Sequence, residues 1–146
     1  MNKHTSTWIR KNCHGKDVRL SSDLRKLDPI QEKIIFNLSM IESLHFIKVK
    51  SNAILVSSEV EGFYKKPITK PGHSSAIGLW IELNYKFKIL EFVEINSPIK
   101  GYGQRMVNAV LSDFPLDWQA TIIFDYSYGF WGWIKEKHTS VQWLEM

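Results

Sequence analysis

Apolar residues change their spacing several times along the chain, and each change marks an element. Residues 1–20 show no clear period; Trp8 and Ile9 suit either a short strand or packing onto the body. Ser21, Ser22 and Asp23 resemble a helix start, with a short helix expected through Leu24 and Leu27. The first strong signal is Asp28-Pro29-Ile30-Gln31. Asp28 can cap exposed amides, Pro29 suits the first helical position, and Gln31 completes a capping box. Ile30, Ile34, Ile35, Leu38 and Ile41 then fall on one face, which predicts a helix over 29–44.

From His45 the period shortens. Phe46–Val49 and Ala53–Val56 are rich in β-branched residues, and Ser51-Asn52 suits a tight turn, so they read as a hairpin. Residues 61–75 carry Gly62, Pro67, Pro71, Gly72 and several lysines, a long loop of the kind that often has a function. Ala76–Leu83 and Tyr85–Ile95 form a second hairpin, whose later strand is apolar enough at Leu90, Phe92 and Val93 to be central. Pro98 stops it. Met106, Val107, Val110 and Leu111 restore the helical period until Asp113-Phe114-Pro115. A buried strand over 120–124, a short helix over 129–137 and a last strand over 141–144 complete the order. Strand, glycine loop, helix and strand over 86–124 predict a β-α-β crossover. Together with the hairpins this gives an α/β (α+β) fold: a mixed, mostly antiparallel central sheet flanked by helices.

Composition narrows this only a little. The 146 residues suffice for one domain, expected over 1–146, and 44% hydrophobic with 23% charged residues is ordinary for a globular protein. A net charge of +4 favours an anionic ligand without demanding nucleic acid, since Lys and Arg are scattered. The lone Cys13 excludes an intrachain disulfide and reads as a plain thiol; a catalytic role would need an electropositive, partly exposed setting. With no apolar leader and no apolar run near 20 residues, a cytoplasmic protein without membrane contact is the expectation. His45 and His73 lack metal-ligand spacing, so no metal is expected.

The stretch Ser97-Pro98-Ile99-Lys100-Gly101-Tyr102-Gly103-Gln104-Arg105 joins the central strand to an amphipathic helix. Glycine lets the backbone approach a ligand closely. Free amides and the positive helix end favour a phosphate, and Lys100 and Arg105 add charge. Met106 stands where a dinucleotide fingerprint needs glycine, and no Gly-Lys-Ser/Thr follows four spacers, so neither common nucleotide loop is present. Spacing alone fits a tight strand-to-helix turn equally well.

In the frame Pro98-Ile99-Lys100-Gly101-Tyr102-Gly103, this stretch resembles motif A of the GNAT superfamily of N-acetyltransferases, [Gln/Arg]-x-x-Gly-x-[Gly/Ala]. The run Ile95–Val110 is especially similar to the histone-acetyltransferase branch. Pro98 departs from the motif, having neither amide nor side-chain donor. The resemblance implies a GNAT-like sheet with a pyrophosphate-loop core, and acetyl-CoA as cosubstrate. By it, the backbone of Val93 and Ile95 would pair with the pantetheine arm, and the amides of Lys100, Gly101, Tyr102, Gly103 and Gln104, with Arg105 near, would hold the pyrophosphate. Glu91 is the candidate general base, with Glu82 and Glu94 as rivals. The family's second landmark corresponds to Asp125–Gly132, where Gly132 stands at the usual tyrosine, so Tyr128 or Tyr126 is the candidate acid. Phe130 and Trp131 are expected beside the cofactor arm or in the core.

The function expected is acetyl transfer to an amine, on a small molecule or a protein, by direct attack in a ternary complex. A homodimer is compatible with this. A CoA-binding module without turnover is the alternative, and a nucleic-acid-binding domain a weaker one.

Overall fold

The structure, a computed structural model, describes residues 3–125 and 129–145. Its elements run α1 (Lys3–Asn12), β1 (Asp17–Leu20), α2 (Pro29–Ser39), β2 (Phe46–Lys50), β3 (Ala53–Ser57), β4 (Val60–Glu61) and β5 (Lys66–Pro67). They continue with β6 (Gly78–Asn84), β7 (Ile89–Asn96), α3 (Tyr102–Leu111), β8 (Gln119–Ile122), α4 (Phe130–Lys137) and β9 (Gln142–Trp143). Seven strands form one sheet in the order β1-β2-β3-β6-β7-β8-β9, while β4 and β5 make a separate ribbon. The three inner pairings, from β2 to β7, are antiparallel and carry the longer ladders; β1–β2, β7–β8 and β8–β9 are parallel. The fold is thus a mixed α/β sheet, and the crossover through α3 joins parallel strands as its pattern predicts.

Local chemistry explains the best-read element. The Gln31 amide donates to Asp28 Oδ1 at 2.8 Å, and the Asp28 amide donates to Gln31 Oε1 at 3.2 Å. The expected capping box is therefore formed. The helix stops at Ser39, earlier than the apolar spacing predicts. The Ser39 hydroxyl bonds back to Phe36 O at 2.7 Å, and the Met40 amide turns to Asn37 O. Ile41 and Leu44 are still buried, but through successive tight turns. Turn and helix bury the same spacing here, which is why the pattern overran.

At the N-terminal end the structure decides one open alternative, overturns one expected helix and adds one strand. Trp8 and Ile9 lie in α1 rather than in a strand, half-buried against the core. Leu24 and Leu27 are buried without forming a helix. Asp17–Leu20 forms β1, a strand too short to show a period, which joins the sheet edge parallel to β2.

The register divides the sheet into two faces. Ile47, Val56, Leu79, Ile95 and, on adjoining rungs, Ile54, Ile81 and Phe92 share one face. Most of these join one buried cluster with Ile34 and Leu38 of α2, Met106 and Val110 of α3, and Trp131 and Ile134 of α4. Each fully buried aliphatic side chain contributes about 1.5–3 kcal/mol by leaving water. The opposite face is partly covered by the chain following β5. The Ser57 hydroxyl donates to Ile68 O at 2.7 Å, and a Cβ on Gly78 would lie 2.2 Å from that same oxygen. Glycine at 78 is what lets this segment lie so close. Among the described residues, no helix is long and apolar enough to cross a membrane.

Candidate functional site

The site originates in a fault in one strand. Ile81 pairs with Phe92, but Trp80 pairs with Glu94, so Val93 is an extra residue in β7. Without it, alternation would send Glu94 to the core face. With it, Ile95 faces the core beside Leu79, and Glu94 faces outward beside Trp80. The ladder to β8 ends at the same point: its last pair is Phe92 with Ile122, continued by the Ile123 amide to Phe92 O at 3.0 Å. Beyond it, β7 runs on to Asn96 beside β6.

A cleft of about 730 Å³ opens there. Glu94, Ile95 and Asn96 supply its strand wall, and Gly103, Phe130 and Trp131 supply the helical wall. Lys70, Pro71 and Gly72 close a third side, so the long loop noted in the sequence does border the site. That loop is pinned by Asn96, which is buried. Its Nδ2 donates to His73 O at 2.9 Å and Ala76 O at 2.7 Å, and its Oδ1 accepts from the Gly72 amide at 2.9 Å. Glu94 is held from the loop as well, its Oε1 accepting from the Thr69 hydroxyl at 2.7 Å.

The glycine turn stands at the end of this cleft. Gly101 has φ +96° and precedes α3 without any side-chain cap. The first-turn amides of Gly103 and Gln104 therefore keep the donor capacity and positive potential of a helix N-terminus. Gly103 is closely packed: a Cβ there would lie 3.3 Å from the Phe130 ring, which would have to shift by a few tenths of an ångström. Lys100 is exposed and has no carboxylate partner among the described residues.

Of the residues singled out in the sequence, the structure gathers some and separates others. Ile95 and Gly103 line the cleft, Val93 is the bulge, and Lys100, Gly101 and Gln104 form the adjoining turn. Tyr102 and Arg105 turn toward the segment between α2 and β2. Tyr102 Oη accepts from the Ser43 hydroxyl at 2.8 Å, and the Arg105 guanidinium lies over its ring at 4.9 Å. Arg105 also grips the Glu42 carboxylate with two bonds, of 3.0 and 2.9 Å. Those bonds pull the Glu42 carboxyl down to about 2. Arg105 is thus committed to an ion pair in this conformation.

Glu91 is absent from the cleft lining. It lies directly across the ladder from Glu82, and partial burial first, then the Glu82 charge, raises its carboxyl above the usual range. Tyr126 and Tyr128 lie outside the described residues. Among the described residues no group of three His, Cys, Asp or Glu is placed to hold a metal. Asn96 and its loop contacts were missed from the sequence, because a polar residue ending an apolar strand does not announce its partners. No family model, no curated protein and no solved structure matches the chain.

Proposed function

We propose that the chain binds acetyl-CoA in the cleft beside the free end of β7 and transfers the acetyl group to an amine. The observation that carries this reading is the conjunction of the strand end from Val93 to Asn96, the cleft along it, and the uncapped start of α3 at its end. An extended pantetheine arm would pair with backbone groups of the strand. The pyrophosphate would accept from the Gly103 and Gln104 amides with Lys100 adding charge. This follows the resemblance of Pro98–Gly103 to the acetyltransferase loop.

In the reaction, the amine nitrogen forms a bond to the thioester carbonyl carbon, the carbon–sulfur bond breaks, and CoA leaves as thiolate. The amine proton must go to a base. Glu94 borders the cleft and is oriented by Thr69, so it is better placed for that step than Glu91. Most of the rate advantage would come from holding amine and thioester together. A module that binds CoA without turnover is the second reading. It is favoured by Gly132, which sits exposed in α4 and offers no hydroxyl to the leaving thiolate.

Thermal unfolding with and without acetyl-CoA tests the binding step. Ligand at 100 times its Kd stabilises by about 2.7 kcal/mol, a rise of several degrees for a chain of this size. No shift at millimolar acetyl-CoA rejects both readings. Thiol release with a panel of amines then separates transfer from binding. Activity is expected to fall with Glu94→Gln and to survive Glu91→Gln.

A further inference from the structure

The two most exposed large hydrophobic residues among the described residues are neighbours. Phe63 is 89% exposed and Tyr64 80% exposed, at the tip of the β4–β5 ribbon. Their rings meet edge to face, with centroids 5.2 Å apart and an angle of 88°. The tip is a tight turn closed by the Lys65 amide on Gly62 O at 3.1 Å, with positive φ at both Gly62 and Lys65. Its stem is anchored. Pro67 and Ile68 are buried, the Ile68 amide bonds Glu59 O at 3.0 Å, and Ile68 O accepts from Ser57. The ribbon therefore presents two aromatic rings on a fixed support, although their exposure contributes little to the core.

Charge says what these rings meet. Lys65 and Lys66 follow directly, and Lys70 lies further along the same loop, at the cleft wall. All three are exposed, and none forms an ion pair with a carboxylate among the described residues. Glu61 faces Lys66 across the ribbon but makes no bridge to it. Two unpaired basic residues thus adjoin the open rings directly along the chain, and a third lies on the same loop toward the cleft.

We propose that the β4–β5 tip is a contact for single-stranded nucleic acid, with Phe63 and Tyr64 stacking on unpaired bases and Lys65, Lys66 and Lys70 meeting phosphates. Open ring faces next to unpaired ammonium groups are the minimum that such recognition requires, and it works without base-specific bonds. A duplex hides its base faces. Anionic membrane recognition typically takes four to eight basic residues, and here three stand above a stem carrying Glu59 and Glu61. The proposal is independent of the acetyl-CoA reading.

Fluorescence anisotropy with end-labelled oligouridylate and oligothymidylate of about ten nucleotides tests it. Binding is expected at about 50 mM salt and should weaken steeply by about 200 mM. Phe63→Ala combined with Tyr64→Ala should weaken it about tenfold or more. Lys65→Gln with Lys66→Gln should flatten the logarithmic salt slope by about 1.4. Both side-chain pairs are exposed, so the melting temperature and its response to acetyl-CoA should match wild type. Absence of oligonucleotide binding at low salt overturns the proposal, as does wild-type binding by the double alanine variant. Capture by phosphatidylserine vesicles without oligonucleotide binding overturns it in favour of a membrane contact.

Discussion

Gly101 and Gly103 read alike in the sequence but answer to different constraints. At 101 the backbone torsion favours glycine, while a Cβ would meet nothing; at 103 the torsion is ordinary and a Cβ would crowd the Phe130 ring. Glu91 shows a third kind of constraint, set by a cross-strand neighbour. Its native carboxyl titrates above the ordinary 4.5 because of burial and Glu82. The folded state thus holds the proton more tightly, so stability falls as pH rises from about 4.5 through the native value. Glu91→Gln is expected to stabilise by about 0.2–1 kcal/mol at neutral pH, the scale of a like-charge cross-strand contact. Urea titrations should show the gain fading below about pH 4. A gain that persists there would assign the effect to something other than charge.

At the scale of elements, β7 is the piece on which the site depends. One extra residue at Val93 re-aims Glu94 and Ile95, and the strand then outruns β8. Asn96 at its end fixes the loop opposite. Asn96→Ala leaves the carbonyls of His73 and Ala76 and the amide of Gly72 without that partner, at a cost of about 1–3 kcal/mol. Hydrogen exchange should rise first over residues 69–77 and leave β6 and β7 protected. Uniform deprotection of the sheet instead would mean that the asparagine supports the core. The capping box of α2 was legible before any coordinates because both partners lie within four residues. Val93 as a bulge was not, since an extra residue shows only against the register of β6.

Across the whole molecule, one apolar cluster ties both halves of the sheet together. Phe92 meets Trp131 at 4.9 Å and Trp143 at 6.4 Å, linking the central strand to α4 and β9. Cys13 belongs to the same cluster at 1% exposure, and burial pushes its thiol up to about 11. A thiol so placed is inert rather than catalytic. Thiol-specific reagents are expected to label native protein only at the rate of unfolding, and to label it at once in denaturant. Rapid labelling under native conditions would show that the N-terminal segment opens independently of the core.

The sequence by itself determined what depends on near neighbours: the start of α2, the β2–β3 turn at Ser51-Asn52, the strand-turn-helix path through Gly101, and the mixed sheet implied by hairpins followed by a crossover. It also made the turn before α3 a candidate anion site, through its glycines, helix start and basic residues, with a resemblance over six residues pointing to CoA. Tertiary structure decided what depends on distant partners. It put Glu94 rather than Glu91 at the cleft, bound Arg105 to Glu42, closed the loop with Asn96, and left the Phe63 and Tyr64 rings open on an anchored ribbon. Periodicity records which side of an element is apolar. It carries no record of register between strands, which aims Glu94 and Asn96, or of the packing between elements, which sets Arg105 against Glu42.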